Sequence, residues 1–131
     1  MRCFIESLEL AVAAAKSASA RKAEDVTFLD LSGVASYCDG FLICTGTNRR
    51  HVRAIAEGII EDMRASGVRP IGVEGMEASR WVLIDFGDVL VHVFDEPMRG
   101  FYDLDALWAD AKRVPLDLPT APAAGPVRQT V

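Results

Sequence analysis

The segment from Arg80 to Asp95 constrains the fold of this chain more than any other. It holds two runs of mostly apolar residues separated by the pair Gly87-Asp88. Because glycine adopts a positive φ at little cost, this pattern predicts a β-hairpin with a two-residue turn. A turn of this length also sets the register of the two strands. The predicted cross-strand pairs are Phe86–Val89, Ile84–Val91, Val82–Val93, Asp85–Leu90, Leu83–His92 and Trp81–Phe94.

The two faces of this predicted hairpin differ in chemistry. One face is wholly aliphatic or aromatic and suits a hydrophobic core. The other carries large rings beside ionisable groups, a mixture typical of protein-binding patches. Rings such as Trp81 and Phe94 bury about 150–250 Å² each, so a helix of the same chain or another molecule should cover them. Asp85 on the same face favours a contact surface, because an unpaired buried carboxylate is costly.

Hydrophobic periodicity predicts the remaining elements. The predicted elements are a helix from about Ser7 to Ser17, strands at Val26–Leu31 and Phe41–Cys44, a helix bearing an apolar stripe from Val52 to Met63 and closed by Gly67, an extended segment at Pro70–Gly75, and a short capped helix at Asp103–Trp108. Alternation of this kind indicates a single α/β domain whose mixed sheet is flanked by helices and whose final strand pair is antiparallel.

Composition sets the boundaries of the domain. With 131 residues, half of them hydrophobic and a quarter charged, the chain is long enough for one core. From Val114 onward, four prolines lie among Ala, Thr and Gly, so we predict a domain over 1–113 and a mobile tail over 114–131.

Charge and cysteine content indicate the compartment and the class of partner. No segment approaches the roughly 18 apolar residues of a membrane span. The three cysteines are odd in number and lack Cys-x-x-Cys spacing, which favours reduced thiols and a cytoplasmic location. A formal net charge of −5 argues against nucleic acid as the main partner and favours a basic protein.

Several motifs raise the alternative of an enzyme. Gly46-Thr47 lies between a strand and a helix, where backbone N–H groups can hold an anion, although capping by Thr47 or Asn48 explains it more simply. Asp103 and Asp105 could hold a metal, but residues two apart on a helix point in different directions. A nucleotide-binding or nucleotidyl-transferring enzyme using the Gly46-Thr47 loop is therefore the rival hypothesis. No catalytic residue, metal site or cofactor is predicted, and His51 is expected to be solvated.

Four blocks of the sequence closely resemble the ribosomal silencing factor (Iojap-like) family. They are Asp39–Val52, Glu74-Gly75, Trp81–Phe94 and Arg99–Trp108. The resemblance runs from about residue 5 to 113 and leaves out the proline-rich tail. It implies a fold similar to nucleotidyltransferases without their paired metal-binding acids, and a non-catalytic regulator of translation.

The resemblance also implies a partner and a mechanism. Family members bind ribosomal protein uL-fourteen on the large subunit and block joining of the small subunit, which represses translation under nutrient limitation. The matching segments, together with the hairpin pattern, place binding on Trp81, Leu83, Asp85, Asp88, His92 and Phe94, with Tyr102, Asp103 and Trp108 nearby. The same rings could pair two copies of the chain when no ribosome is present. Neither a membrane nor a specific nucleic-acid sequence is expected as a partner.

Overall fold

The computed structural model describes residues 4–33, 38–102, 112–114 and 116. In chain order, its elements are α1 (Phe4–Ala20), β1 (Glu24–Asp30), β2 (Gly40–Gly46), α2 (Arg49–Ala65), β3 (Gly72–Glu74), β4 (Trp81–Asp85), β5 (Val89–Asp95), α3 (Glu96–Tyr102) and β6 (Lys112–Val114). This order confirms the predicted succession from the first helix through the hairpin. The sequence reading did not anticipate α3 or β6.

All six strands form one sheet in the order β3-β4-β5-β2-β1-β6. The central pair, β2 and β5, is parallel, and the other four pairs are antiparallel. The fold is therefore a single α/β domain with a mixed sheet, as predicted.

The predicted hairpin is confirmed residue by residue. In the register of β4 and β5, Trp81 lies opposite Phe94 and Leu83 lies opposite His92. Gly87 has a φ of +93°, and the N–H of Phe86 donates to the carbonyl oxygen of Val89 at 3.0 Å. The turn is therefore the tight one that the Gly87-Asp88 pair indicated.

Local capping explains both ends of α2. The side chain of Asn48 accepts a hydrogen bond from the N–H of His51 at 2.8 Å, which confirms the capping interpretation of this loop. At the other end, the N–H groups of Gly67 and Val68 donate to the carbonyl oxygens of Arg64 and Met63, so the helix closes at the predicted glycine.

Two hydrophobic clusters lie on opposite faces of the sheet. The larger cluster joins the sheet to α1 and α2 through residues such as Ala14, Ile55 and Val91. The smaller cluster contains the buried residues Leu29, Leu31, Cys38, Phe41, Ile43 and Phe94, with Trp81, Leu90 and Met98 partly buried against it. The mixed face of the hairpin belongs to this second cluster and lies on the side of the sheet away from α1 and α2.

The C-terminal part of the fold differs from the expectation. Val114 ends β6, which pairs with β1, and Leu116 packs against the larger cluster. The segment predicted as a tail therefore begins inside the folded domain. Residues 117–131 and the predicted helix at Asp103–Trp108 lie outside the described residues.

Candidate protein-binding surface

The mixed face of the hairpin is only partly covered in the folded chain. Burial increases from β4 toward the middle of the sheet, because the outer neighbour of β4 is the three-residue strand β3, which covers little of it. The half-buried residues, which we call the hairpin patch, are Trp81, Leu83, Asp85, Asp88 and Leu90. The patch therefore keeps an incompletely covered surface that joins an indole, two leucines and two carboxylates.

Phe94, which the sequence analysis places among the binding residues, is buried. Its exposed fraction is 1%, and its ring stacks on the indole of Trp81 with the ring centroids 5.0 Å apart. Phe94 lies on central strand β5, between β4 and β2, where neighbouring side chains enclose it. Trp81 itself is half-buried and is not sealed inside the domain. Phe94 thus supports the indole from the core.

His92 is the second buried support of the patch. Its Nδ1 accepts a hydrogen bond from Nε1–H of Trp81 at 3.1 Å, which assigns the ring proton to Nε2. The ring is 4.5 Å from that of Phe41 and 6.0 Å from that of Phe94, measured between centroids. Within the described part of the chain, its buried Nε2 has no hydrogen-bond partner.

Burial also determines the charge of His92. Desolvation lowers the pKa of His92 to about 4, so the ring is neutral at physiological pH. A neutral imidazole tied to an indole and enclosed by phenyl rings holds Trp81 in one orientation. The structure therefore gives this histidine a positioning role beneath the patch.

The loop before β4 sets the position of Trp81 along the chain. Gly75 has a φ of +86°, and a Cβ at this position would lie 2.1 Å from the carbonyl oxygen of Trp81. Ser79 is buried, and its N–H donates to the carbonyl oxygen of Gly75 at 2.9 Å. Only glycine allows this approach, so the Glu74-Gly75 block acts by positioning the indole.

An ion pair between Arg80 and Asp95 lies at the open end of the hairpin, next to Trp81 in the chain. Arg80 Nε lies 3.2 Å from Asp95 Oδ2, and the N–H of Asp95 donates to the carbonyl oxygen of Arg80 at 2.9 Å. Asp95 Oδ1 also accepts from the N–H of Met98 at 2.9 Å and thereby caps α3. Sequence reasoning missed both residues; an Asp directly before Glu-Pro was the available signal for a helix start.

A half-buried arginine attaches α3 to the sheet beside the patch. Arg99 donates to the carbonyl oxygen of Asp25 at 2.6 Å and to Oγ1 of Thr45 at 2.9 Å. Tyr102 ends this helix, and its side chain, like Asp103 and Trp108, lies outside what the structure describes. Their place next to the hairpin patch stays a prediction.

The turn end of the patch is electronegative. Burial, together with the charges of Asp39, Asp85 and Asp88, raises the pKa of the Cys38 thiol to about 11. The negative charges of three carboxylates therefore disfavour the thiolate form of Cys38. Two of them belong to the hairpin patch, so a partner that docks there meets negative charge next to apolar side chains.

The Gly46-Thr47 loop has a packing explanation. A Cβ on Gly46 would lie 2.8 Å from the backbone nitrogen of Val52, so glycine permits the close approach of β2 to α2. The expectation that His51 is solvated is wrong. Its ring is half-buried, with Nδ1 accepting from the N–H of Thr47 at 2.9 Å and Nε2 donating to the carbonyl oxygen of Arg21 at 2.8 Å.

The residues that the structure describes offer neither a metal site nor a membrane span. Within them, no three His, Cys, Asp or Glu side chains are grouped closely enough to hold a metal ion. Over the same residues, none of the helices combines the length and the apolar character needed to cross a bilayer.

Comparison with known proteins decides the family. A family model described as "Ribosomal silencing factor during starvation" matches residues 5–130. The chain belongs to the ribosomal silencing factor family. The match confirms the resemblance seen in the sequence, and it extends past the limit of 113 that the sequence blocks indicated.

Individual relatives agree with the family match. The protein named ribosomal silencing factor RsfS in Halalkalibacterium halodurans is 43% identical over 112 residues, covering 86% of this chain and 93% of the relative. The protein of the same name in Bacillus subtilis is 41% identical over 104 residues, covering 79% and 88%. Among solved structures, a Chromobacterium violaceum protein superposes with a TM-score of 0.76 at 31% identity, covering 90% of this chain and 98% of its own.

Proposed function

We propose that the chain is a steric anti-association factor in the cytoplasm. It binds the large ribosomal subunit through ribosomal protein uL-fourteen, blocks joining of the small subunit and represses translation under nutrient limitation. Membership of the ribosomal silencing factor family carries this proposal. The half-buried indole of Trp81, held in place by buried neighbours, supports the location of the contact.

The hairpin patch supplies the apolar part of the proposed contact. Preformed interfaces rely on a few rigid aromatic anchors, because an anchor that is already ordered loses little entropy on binding. Trp81 meets this requirement, since His92 and Phe94 fix its ring from below. Leu83 and Leu90, half-buried on the same face of the hairpin, add apolar surface. Tyr102, Asp103 and Trp108 extend the same contact in this proposal.

Charge supplies the specificity. Ribosomal proteins are basic as a class, and the patch places Asp85 and Asp88 at its turn end on a chain with a formal net charge of −5. Opposite charges accelerate encounter and hold the register of the complex, and both effects weaken as salt rises. Binding to large subunits should therefore be strong at low ionic strength and weaker at high ionic strength.

The proposed mechanism is occupancy and requires no chemical reaction. A specific complex needs about 800 Å² of surface from each partner, which a domain of this size can offer. When this protein is bound at the subunit interface, its volume alone excludes the small subunit. Two copies of the chain pairing through the same rings would compete with the ribosome, so self-association would show as a concentration-dependent loss of subunit binding.

Gradient sedimentation of mixed ribosomal subunits tests the proposal. Purified protein should shift the profile from joined ribosomes toward free subunits and sediment with the large subunit. Trp81→Ala should fold yet lose both effects, because it removes the anchor from a half-buried position. Glu61→Ala, on the exposed side of α2, is the matched control and should behave as wild type. Undiminished sedimentation of Trp81→Ala with large subunits would argue against the patch.

A further inference from the structure

The sheet ends at a short edge strand that is unusually open. Among the described strands, β3 pairs with β4 alone, and all three of its residues are exposed. The exposed large hydrophobic residues of the described chain are Ile71, at 74%, and Val73, at 37%. Natural proteins usually cover or charge such an edge, because unpaired backbone groups there recruit other strands.

The backbone groups of β4 are divided between its two neighbours. The N–H of Phe86 donates to the carbonyl oxygen of Val89, and the carbonyl oxygen of Arg80 accepts from the N–H of Asp95. Phe86 and Arg80 flank β4, so the even-numbered positions along this strand direct their backbone groups toward β5. Backbone direction alternates along a strand, so Leu83 and Asp85 direct theirs toward β3.

This alternation leaves one residue of β3 directed outward. Gly72 lies opposite Asp85 and Glu74 lies opposite Leu83, so these two residues form the pairs with β4. Val73, between them, directs its N–H and carbonyl oxygen toward the open edge. The N–H of Ile71 is already used, because it donates to the carbonyl oxygen of Asp85 at 2.7 Å.

The open edge is continuous with the hairpin patch, because Glu74 and Gly72 lie beside the patch residues Leu83 and Asp85. The two faces of the edge differ. Val73 lies on the face of the sheet that carries Ile84, whereas Glu74 lies on the face that carries the patch. A strand added here would meet apolar side chains on one face and carboxylates on the other.

We propose that β3 receives an extended segment of the basic ribosomal partner as an additional strand of the sheet. This inference rests on the proposed function and extends the docking surface around the edge. Strand addition gains affinity from main-chain hydrogen bonds and specificity from alternate side chains. The recruited segment alternates apolar residues, which contact Val73, with Lys or Arg, which face Glu74 and Asp85.

A second copy of the chain fits this edge less well than a basic partner does. Two copies each carry a formal net charge of −5, so their encounter is opposed by electrostatic repulsion. Pairing through three residues also buries far less than the roughly 1,000 Å² expected of a stable interface. The hairpin patch contributes the missing area only when both surfaces meet the same partner.

Val73→Pro tests the proposal. Proline lacks the outward N–H and is tolerated on edge strands, and the substitution leaves the pairs to β4 intact. We expect an unfolding midpoint close to wild type and about tenfold weaker binding to purified large subunits. Val73→Thr keeps the N–H and the branched side chain and should bind as wild type. Ile71→Lys, at a more exposed position, gives a second test, because it places a cation against the basic segment and should also weaken binding.

The outcomes separate the edge from the patch. Wild-type affinity in both Val73→Pro and Ile71→Lys would overturn strand addition while leaving the proposed function in place. Failure of the wild-type protein to bind large subunits would overturn the proposed function itself. If sedimentation without ribosomes showed a dimer that Val73→Pro converts to monomer, the occupant would be a second copy, and the inference would be wrong.

Discussion

His92 should make the stability of this domain depend on pH in a defined window. Its pKa is about 4 in the folded chain against an ordinary value of 6.5. Above pH 6.5 both the folded and unfolded states hold a neutral ring, so the full stability is present. Below pH 6.5 the imidazole is protonated in the unfolded state but stays neutral in the folded state. The free energy of unfolding therefore falls as the pH is lowered, until about pH 4. At about 1.36 kcal/mol per pKa unit, the loss is on the order of 3 kcal/mol.

His92→Phe isolates this effect. Phenylalanine keeps the ring contacts with Phe41 and Phe94 and removes the titrating group. It also removes the unpartnered Nε2–H, a gain of about 1–3 kcal/mol that roughly offsets the hydrogen bond lost by Trp81. At pH 7 the two proteins should therefore differ in free energy of unfolding by no more than about 1 kcal/mol.

Urea denaturation at several pH values from 7 to 4 measures the difference. The wild type should lose about 3 kcal/mol more than His92→Phe over this range, because every other titrating group is common to both proteins. Parallel stability curves for the two proteins would refute the reasoning. They would show that the imidazole is protonated as readily in the folded chain as in the unfolded one.

Three further predictions follow from the packing. Gly75→Ala should destabilise the domain by about 2 kcal/mol or more, since the new Cβ meets the Trp81 carbonyl oxygen at a positive φ, and thermal unfolding measures this. Gly58→Ala should destabilise the wild type, because its Cβ would displace the Arg21 side chain that donates to Ser17 and Asp62. In an Arg21→Ala background, Gly58→Ala should raise the free energy of unfolding by about 1 kcal/mol, because alanine favours the helix more than glycine does. In a double-mutant cycle, the effect of Gly58→Ala on the free energy of unfolding should therefore change sign between the two backgrounds. Burial raises the pKa of the Cys44 thiol to about 12, so this thiol should not react with a chromogenic thiol reagent until the protein unfolds. The absorbance of the product that the reagent releases, followed as urea is added, measures this reaction.

Local sequence patterns predicted the parts of the fold that depend on short-range geometry. The Gly87-Asp88 turn determined the hairpin register, because a two-residue connection leaves one way to pair the strands. The apolar stripe from Val52 to Met63 and the cap at Asn48 located α2 for the same reason.

Elements that depend on distant partners were missed. α3 is held by Arg99, whose partners Asp25 and Thr45 lie far away in sequence, and β6 forms by pairing with the outer side of β1, also far away in sequence. The sequence around His51 predicts a solvated helix residue, yet its ring donates a hydrogen bond to the carbonyl oxygen of Arg21, the residue that follows α1. No pattern within a few residues of these positions reports such contacts.

The sequence by itself determined that Trp81, Leu83, Asp85, His92 and Phe94 share one face of a β-ribbon, because side chains alternate strictly along paired strands. Only the tertiary structure decided which of them remain accessible. β4 lies near the edge of the sheet and β5 lies next to its centre, so the same face is half-open at Trp81 and closed at Phe94. Alternation assigns a side chain to a face, whereas exposure depends on how far the neighbouring strands and helices cover that side chain. This coverage is set by the order and the lengths of the strands in the whole sheet.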